Sequence, residues 1–332
     1  MTATLRAVAD AAGVHVATAS RALNAGTSHM VNGTTRQRVL DAAARLDYRP
    51  DAAAAALRSG RSRLVGILVP GLNNPVHAPI VAGAAEVLEA SGIGAIVGDT
   101  GVQRERSAGL VRTLVARRVD GLLMATALDD RDLGVEAAVQ RQVPVVLINR
   151  TLQGHVAVSP DNMMGMRLVV DHLVGLGHRA IGFLGGQLST AQRNDRRAAF
   201  DAAMAKHGLA AVALQRASDF GREAGRDGAL HLLAEAPHTT AIVCGNDLIA
   251  LGVYDAARMT GRQVPRDLSV TGHNDLPYMD LVAPPLTTVR VDYQALGAQA
   301  ATLLMRRIAG GAIEEVLMPA ELQLRGSTAP PR

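Results

Sequence analysis

Three groups of side chains in this chain have types and spacings that could do chemistry. In VATASRALN, Ala17, Ser20, Arg21 and Asn24 recur at i, i+3, i+4 and i+7, one face of a helix. Small residues there permit close approach to a partner, and a guanidinium among them can bond a guanine edge through two parallel N–H groups. The second group is RPDAAAAALRSGRSR, Arg49 to Arg63. It reads either as an inert spacer or as a short helix with Pro50 in its first turn and Gly60 past its end. The third group is dispersed. Asn73, Asn74 and His77, then Asn149 and Arg150, Asp161 and Asn162, Asn246 and Asp247, and Asn274 and Asp275 each follow a short apolar run. Polar side chains converging from several strand ends suit a small polyhydroxylated or heterocyclic ligand. The same residue types also cap helices and form turns.

The first group needs helices to hold it. Leu5, Val8, Ala9 and Ala12 form an apolar helical face, with Thr4 as a cap and Gly13 as a stop. A second helix begins near His15 or Val16, with Ala19, Ala22 and Leu23 inward. A third starts at the N-cap Asn32 and runs to about Leu46, with Val39, Ala43 and Leu46 inward. Two short helices joined by a tight glycine turn, closed by a third, follow the helix-turn-helix plan. A generic three-helix bundle satisfies the same periodicity. Charge separates the two. Residues 1–63 hold nine arginines and four aspartates, whereas the whole chain of 332 residues carries only +4. A basic head on a near-neutral body is the footprint expected of a protein that delivers one end to a polyanion.

The dispersed group needs sheets. From Leu64 on, runs such as LVGILVPG, IGAIVGDT, VDGLLMAT, VPVVLINR, HVAVSPDN, RAIGFLGG, TAIVCGND and LSVTGHND alternate with helical stretches. Continuous apolar strands between helices mean parallel sheets covered on both faces. About nine strands are too many for one open sheet of this length, so two doubly wound subdomains with a cleft are expected. Ligands in such sheets bind beyond the carboxyl ends of the strands.

Other classes fit poorly. GIGAIVG lacks the spacing of a dinucleotide fingerprint and enters a strand instead of leaving one. No P-loop, HExxH or zinc-spaced Cys/His cluster is present, so no cofactor, no metal and no enzymatic activity are expected. No apolar run approaches a membrane span. The amino terminus lacks the apolar stretch of an export signal, and Cys244 is the single cysteine, so a cytoplasmic location is expected. A transport-type solute-binding protein would share the two-lobed body but needs an export signal and no basic head. The tail LRGSTAPPR offers no heptad seam, so a coiled-coil tetramer is not expected.

LRAVADAAGVHVATASRALN followed by TTRQRVLDAAARLDYRP resembles the DNA-binding head of the lactose-repressor (LacI/GalR) family of transcription regulators. VARRVDGLLMA, NDLIALGVYDAARMTGRQVPRDLSVTGHND and LTTVRVDYQALG resemble the periplasmic-binding-protein-like core of the same family. The resemblance implies an α/β protein: an N-terminal all-α helix-turn-helix head and a periplasmic-binding-protein-like core of two doubly wound parallel-sheet subdomains. The boundaries are residues 1–49 for the head, 50–63 for a hinge helix and linker, and 64–332 for an effector-binding and dimerisation core. Within the core, 64–161 with 291–310 make one subdomain, and 162–290 with 311–326 the other.

The resemblance further implies that Val16, Ala17 and Arg21 read bases while Thr18, Ser20 and Asn24 hold the backbone. Thr4, His29 and Arg58 are placed at the DNA with them. Leu57 matches a leucine that wedges open a minor-groove base step, which decides between the two readings of its segment. His77, Arg196, Phe220, Asn246 and Asn274 match effector-binding positions, and Asn149 and Asp275 join them from the strand ends. Phe220 and Tyr278 are the candidates for a stacking face. The family usually has Ser where His15 stands, Val where Ala19 stands and Asp where Asn274 stands. The expected partners are double-stranded operator DNA, a small-molecule effector (a sugar or sugar derivative) and a second copy of the chain, with no membrane. The expected function is repression whose strength the effector changes.

Overall fold

The computed structural model describes residues 3–24, 26–48, 60–101, 103–126, 132–186 and 196–332. The segment of the expected hinge helix, with Leu57 and Arg58, lies outside them. The chain divides into two compact units, residues 1–62 and 63–332.

The smaller unit holds α1 (Leu5–Ala11), α2 (Val16–Leu23) and α3 (Gly33–Arg45), with a 3-10 turn at Ser28–Met30 before α3. Each helix starts on a side chain that takes up an otherwise orphaned N–H. Ala7 donates to Thr4 Oγ1 at 3.3 Å, Ala17 to His15 Nδ1 at 3.2 Å and Thr35 to Asn32 Oδ1 at 2.8 Å. The chain turns between α1 and α2 at Gly13, whose φ of +63° favours glycine. Val8, Ala9, Ala12, Ala19, Ala22, Val39, Ala42 and Ala43 form the core. One expectation needs correction here. Leu46, expected to face inward, is the C-cap residue of α3 and is exposed; Ala42, one turn earlier, occupies the core instead.

The larger unit is built from two sheets of the same plan. The first contains β1 (Leu64–Val69), β2 (Gly94–Asp99), β3 (Gly121–Met124), β4 (Val145–Ile148), β5 (Ala157–Pro160) and β11 (Val316–Met318), in the order β11-β5-β4-β3-β1-β2. The second contains β6 (Ile181–Gly185), β7 (Leu214–Arg216), β8 (Ala241–Cys244), β9 (Ser269–Asn274), β10 (Thr287–Val291) and β12 (Ala320–Gln323), in the order β12-β10-β9-β8-β6-β7. Apart from the last strand of each, both follow the doubly wound order 2-1-3-4-5. All pairs are parallel except β10 with β12.

Helices cover both faces, and the period-2 alternation of strands divides the core accordingly. In the first sheet Leu68, Leu122, Met124, Val145 and Leu147 meet α5 (Arg104–Ala116) and α6 (Leu133–Gln140). Their neighbours Ile67, Val69, Leu123, Val146 and Ile148 meet α4 (His77–Ala90) and α11 (Tyr293–Ile308). The second sheet is sandwiched in the same way between α7 (Asn162–Gly175) with α8 (Arg196–Lys206) and α9 (Arg222–Glu235) with α10 (Asp247–Met259).

The chain passes between sheets after β5, after β10 and after β11. The first two passages open on aspartates that cap the next helix: Met164 donates to Asp161 Oδ1 and Ala295 to Asp292 Oδ1. The third corrects the sequence-based partition. Residues 311–326 were expected in the second subdomain, but Val316–Met318 runs parallel to β5 in the first sheet, and only β12 joins the second.

One contact fixes the entry to the site. Helices α4 and α11 cross at Gly83 and Gly297. A Cβ added at Gly83 would sit 2.0 Å from the Gln294 carbonyl oxygen, and one at Gly297 would sit 2.0 Å from that of Ile80. Only glycine at both positions lets the backbones approach this closely. The crossing holds together the helices that begin at His77 and Tyr293.

Candidate functional site

In the smaller unit, α2 presents Ala17, Arg21 and Asn24 as exposed residues, with Thr18 and Ser20 half-buried beside them. Val16 is also half-buried and packs partly against the core, so only part of it is available to a partner. Thr4 caps α1, and His29 is exposed in the 3-10 turn before α3. Asn24 closes α2 and accepts from Gly26 N–H through Oδ1 at 3.0 Å, which leaves its amide N–H₂ as a donor for a partner. The His15 cap requires an unprotonated Nδ1, since the ring accepts there. A helix with its inner face on alanines and its outer face small, polar and cationic has the shape and charge needed to enter a major groove.

In the larger unit a cavity of about 330 Å³ lies between the two sheets. Its lining comes from the carboxyl ends of strands in both sheets: His77 after β1, Asn149 and Arg150 after β4, Asn162 after β5, Arg216 of β7, Asn246 after β8, Asn274 of β9 and Tyr293 after β10. Arg196 opens α8 into the same space, and Phe220 enters ahead of α9.

Arg196 organises the second-sheet wall. Its Nε donates to Asn162 Oδ1 at 3.1 Å, Nη1 to the Gly245 carbonyl at 2.6 Å and Nη2 to Asn274 Oδ1 at 3.1 Å. A guanidinium has five N–H groups, so one on each Nη is left over. Asn274 Oδ1 is crowded with donors: Tyr293 Oη at 2.7 Å and the His273 ring Nδ1 at 3.2 Å join Arg196 there. These bonds hold Asn274 at φ +117°, a conformation that a non-glycine residue rarely adopts. The Tyr293 bond also crosses the cleft, since α11 belongs to the first sheet. So does Arg150, whose guanidinium carbon lies 5.7 Å from the centre of the Phe220 ring, within cation–π range.

On the first-sheet wall His77 is buried and bonds the Gly71 carbonyl through Nδ1 at 2.7 Å. That bond places the ring proton on Nδ1 and leaves Nε2 an acceptor. Burial, helped by the nearby Arg150 charge, holds the imidazole pKa below its ordinary value of 6.5. Asn149 sits in the left-handed region at φ +59°, a conformation asparagine tolerates. Beneath the second wall, burial pushes the Asp247 carboxyl up to about 6, although Leu276 N–H and Thr288 Oγ1 both donate to it.

The structure therefore brings together His77, Asn149, Arg196, Phe220, Asn246 and Asn274, as expected from sequence. Asn246 lines the cavity but spends its amide locally, accepting from Ile249 N–H and donating to the Phe220 carbonyl. Two expectations are corrected. Asp275 does not line the cavity; at φ +53° it turns away and pairs with Arg325 at 2.7 Å. Tyr278 is 72% exposed and contributes no wall. Asn162 was read among the strand-end polar residues, whereas Tyr293 and Arg216 were not singled out. Tyr293 carried one usable signal, an aromatic just after the capping aspartate that follows a strand. Among the described residues no group of three or more potential metal ligands occurs, and no helix is long and apolar enough to cross a membrane.

Residues 4–51 match the model for bacterial regulatory proteins of the lacI family, and residues 170–328 match a periplasmic-binding-protein-like domain. The lactose operon repressor of Escherichia coli strain K12 is 34% identical over 99% of this chain and 91% of its own length. The chain belongs to the LacI family. The ribose operon repressor of Bacillus subtilis strain 168 is 32% identical over 91% of each chain. The lac repressor dimer bound to operator and the anti-inducer ONPF superposes with a TM-score of 0.89 at 30% identity, covering 99% of this chain and all of that one. As a LacI-family member the chain is a sequence-specific DNA-binding transcriptional regulator whose operator affinity answers to a small-molecule effector. Its relatives are transcriptional regulators rather than enzymes.

Proposed function

We propose that this protein is a cytoplasmic homodimeric repressor, without enzymatic activity, that reads a roughly palindromic operator and responds to a sugar or sugar derivative held between its two sheets. In this reading Arg21 bonds a guanine edge, Ala17 and the exposed part of Val16 pack on bases, and Thr4, Thr18, Ser20, Asn24 and His29 lie at the sugar-phosphate backbone. The effector meets His77, Asn149, Arg196, Phe220 and Asn274, with Tyr293, Arg150 and Arg216 added to the set. Asn246 acts by shaping the wall.

The observation that carries the proposal is that the cavity draws its lining from both sheets. A ligand bonded to both walls favours one relative setting of the two subdomains, and its binding energy is then available to bias the head. Such coupling is limited to the ligand's differential affinity for the two settings, typically about 1–3 kcal/mol. The relatives named for ribose and lactose operons support a sugar-like effector.

The test is fluorescence anisotropy with DNA from upstream of the protein's own gene, titrated with and without candidate sugars. Arg21→Ala is expected to lower affinity for that DNA while leaving binding to unrelated DNA nearly unchanged. Equal loss on both DNAs would remove Arg21 from base reading.

A further inference from the structure

The polar groups of the cavity are not balanced. Among the described residues its lining contains four arginines, Arg150, Arg196, Arg197 and Arg216, against one aspartate, Asp201. That aspartate is already paired with Arg197 at 2.7 Å. Among the described residues that leaves Arg196 and Arg216 as lining guanidinium groups that no carboxylate bonds.

Hydrogen-bonding capacity is skewed the same way. Among the described residues the three bonds that Arg196 makes go to neutral oxygens, and the buried Asp247 carboxyl acts on its guanidinium only through space. Two of its N–H groups remain for a ligand. The acceptors beside it are used up: Asn274 Oδ1 takes Arg196 and Tyr293, and Asn246 Oδ1 takes Ile249 N–H. The Asn274 amide nitrogen has no protein acceptor among the described residues, so around Arg196 this wall offers donors, while its acceptors, Gln215 Oε1 and Asp201 Oδ1, lie apart on β7 and α8. Arg216 adds a further guanidinium at the end of β7. Across the cleft, His77 Nε2 is an acceptor suited to a ligand hydroxyl.

A neutral polyol needs acceptors as much as donors, because each hydroxyl is both. An oxyanion needs donors alone, and charge-assisted bonds to guanidinium are about twice as strong as neutral ones. We infer that the cavity takes an anionic ligand: a carboxylate or phosphate carried on a small hydroxylated frame, its oxyanion on Arg196 and Arg216 and a hydroxyl on His77. The inference rests on the reading of the cavity as the effector site.

The test is calorimetric titration of the full-length protein with matched pairs: glucose against gluconate and glucose 6-phosphate, and ribose against ribose 5-phosphate. Inorganic phosphate serves as a probe free of any frame. At least one anionic member should bind about tenfold or more tightly than its neutral partner, and phosphate should compete with it. Arg196→Gln and Arg216→Gln should each shrink that preference, while Arg141→Gln, which removes an exposed charge elsewhere, should leave it intact. A carboxylate winning over a phosphate, or the reverse, identifies which oxyanion the site prefers. Neutral members binding as tightly as their anionic partners would overturn the inference, as would failure of every anion, phosphate included, to bind at millimolar concentration. Operator binding is measured on the same samples. A preferred anion that leaves operator affinity unchanged would contradict the effector reading of the cavity while the charge preference stood.

Discussion

The two units of this protein stabilise themselves by different means. The buried core of the head is two valines and six alanines, with Leu5, Val14, Val16, Leu23, Val31 and Tyr48 only partly buried against it. The core of the body is made of larger side chains, including Phe200, Ile67, Leu68, Ile80, Leu122, Leu123 and Leu173, all fully buried. Each buried CH₂ contributes roughly 0.8 kcal/mol, so an alanine core yields little per residue. Small domains are marginal in any case because they bury a smaller share of their surface. The head therefore leans on its helix caps, Thr4, His15 and Asn32, in a way the body does not. Their sites differ in parallel. The head shows its working groups on an exposed face with few internal bonds. The body ties its working groups to one another inside a cavity, so each is held in place before a ligand arrives.

Substitutions can sharpen or break this contrast. The largest effect is expected in the body at Gly297→Ala, where the new methyl would meet the Ile80 carbonyl; overpacking there should cost about 3 kcal/mol. Gly175→Ala, where nothing lies within 4 Å, is the control, and differential scanning calorimetry should show the loss only in the first. In the head, Val39→Ala removes part of one of the two fully buried branched residues and should cost about 2 kcal/mol. DNA binding should become temperature-sensitive while ligand binding in the body is unchanged. If both functions fell together, the units would not be stabilised separately.

Arg21→Ala should lower specific DNA affinity about tenfold to a hundredfold, consistent with about 1–3 kcal/mol for a bidentate base contact, without altering the melting temperature. His15→Ala should destabilise the head by about 1 kcal/mol, whereas His15→Ser should stay within a few tenths, because a hydroxyl also caps. Circular dichroism of the two variants would separate them.

The smallest effect is the response to pH, and it belongs to the body. Burial lowers the pKa of His77, His178 and His273 below the ordinary 6.5, His273 well below it. These rings stay neutral in the folded protein while the unfolded chain binds protons. Their contribution is fully present above pH 6.5 and is lost as pH falls toward their lowered values. Asp247, pushed up to about 6, works in the opposite direction: between about 6 and its ordinary 3.8 the folded state holds the extra proton. The urea midpoint should therefore fall from pH 7.5 through pH 6 and keep falling below that, more gently once Asp247 opposes the histidines. A midpoint that rises on acidification would mean that Asp247 outweighs the histidines.

What was legible in the sequence follows from the range of the contacts involved. Caps and inner faces of the head depend on neighbours within one turn, and Thr4, Asn32, Ala19 and Ala22 could be read directly. The error at Leu46 is one of phase: the helix ends a residue earlier, and the leucine leaves the face that Ala42 and Ala43 share. Strand-end residues such as Asn149 and Asn274 were legible because doubly wound sheets place ligands there. Asp275 was not, since its turn away from the cavity is fixed by Arg325, fifty residues later. The short strands β7, β11 and β12 have too few residues to show alternation, and the passage from β11 to β12 is hidden in the continuous run VLMPAELQ. The consumption of acceptors around Arg196 is invisible in any local pattern, because Asn162, Gly245, Asn274 and Tyr293 come from four separate segments.

The claim at the centre of this reading is that the cavity and the recognition helix are parts of one switch. It is tested most directly by measuring the affinity of the full-length protein and of Arg196→Gln for the DNA upstream of its gene, with and without a ligand that wild type binds in the cavity. The expected result is a shift of about 5- to 150-fold in wild type, and unaltered DNA affinity with no shift in the variant. An equal shift in both, or none in either despite ligand binding by wild type, would contradict it.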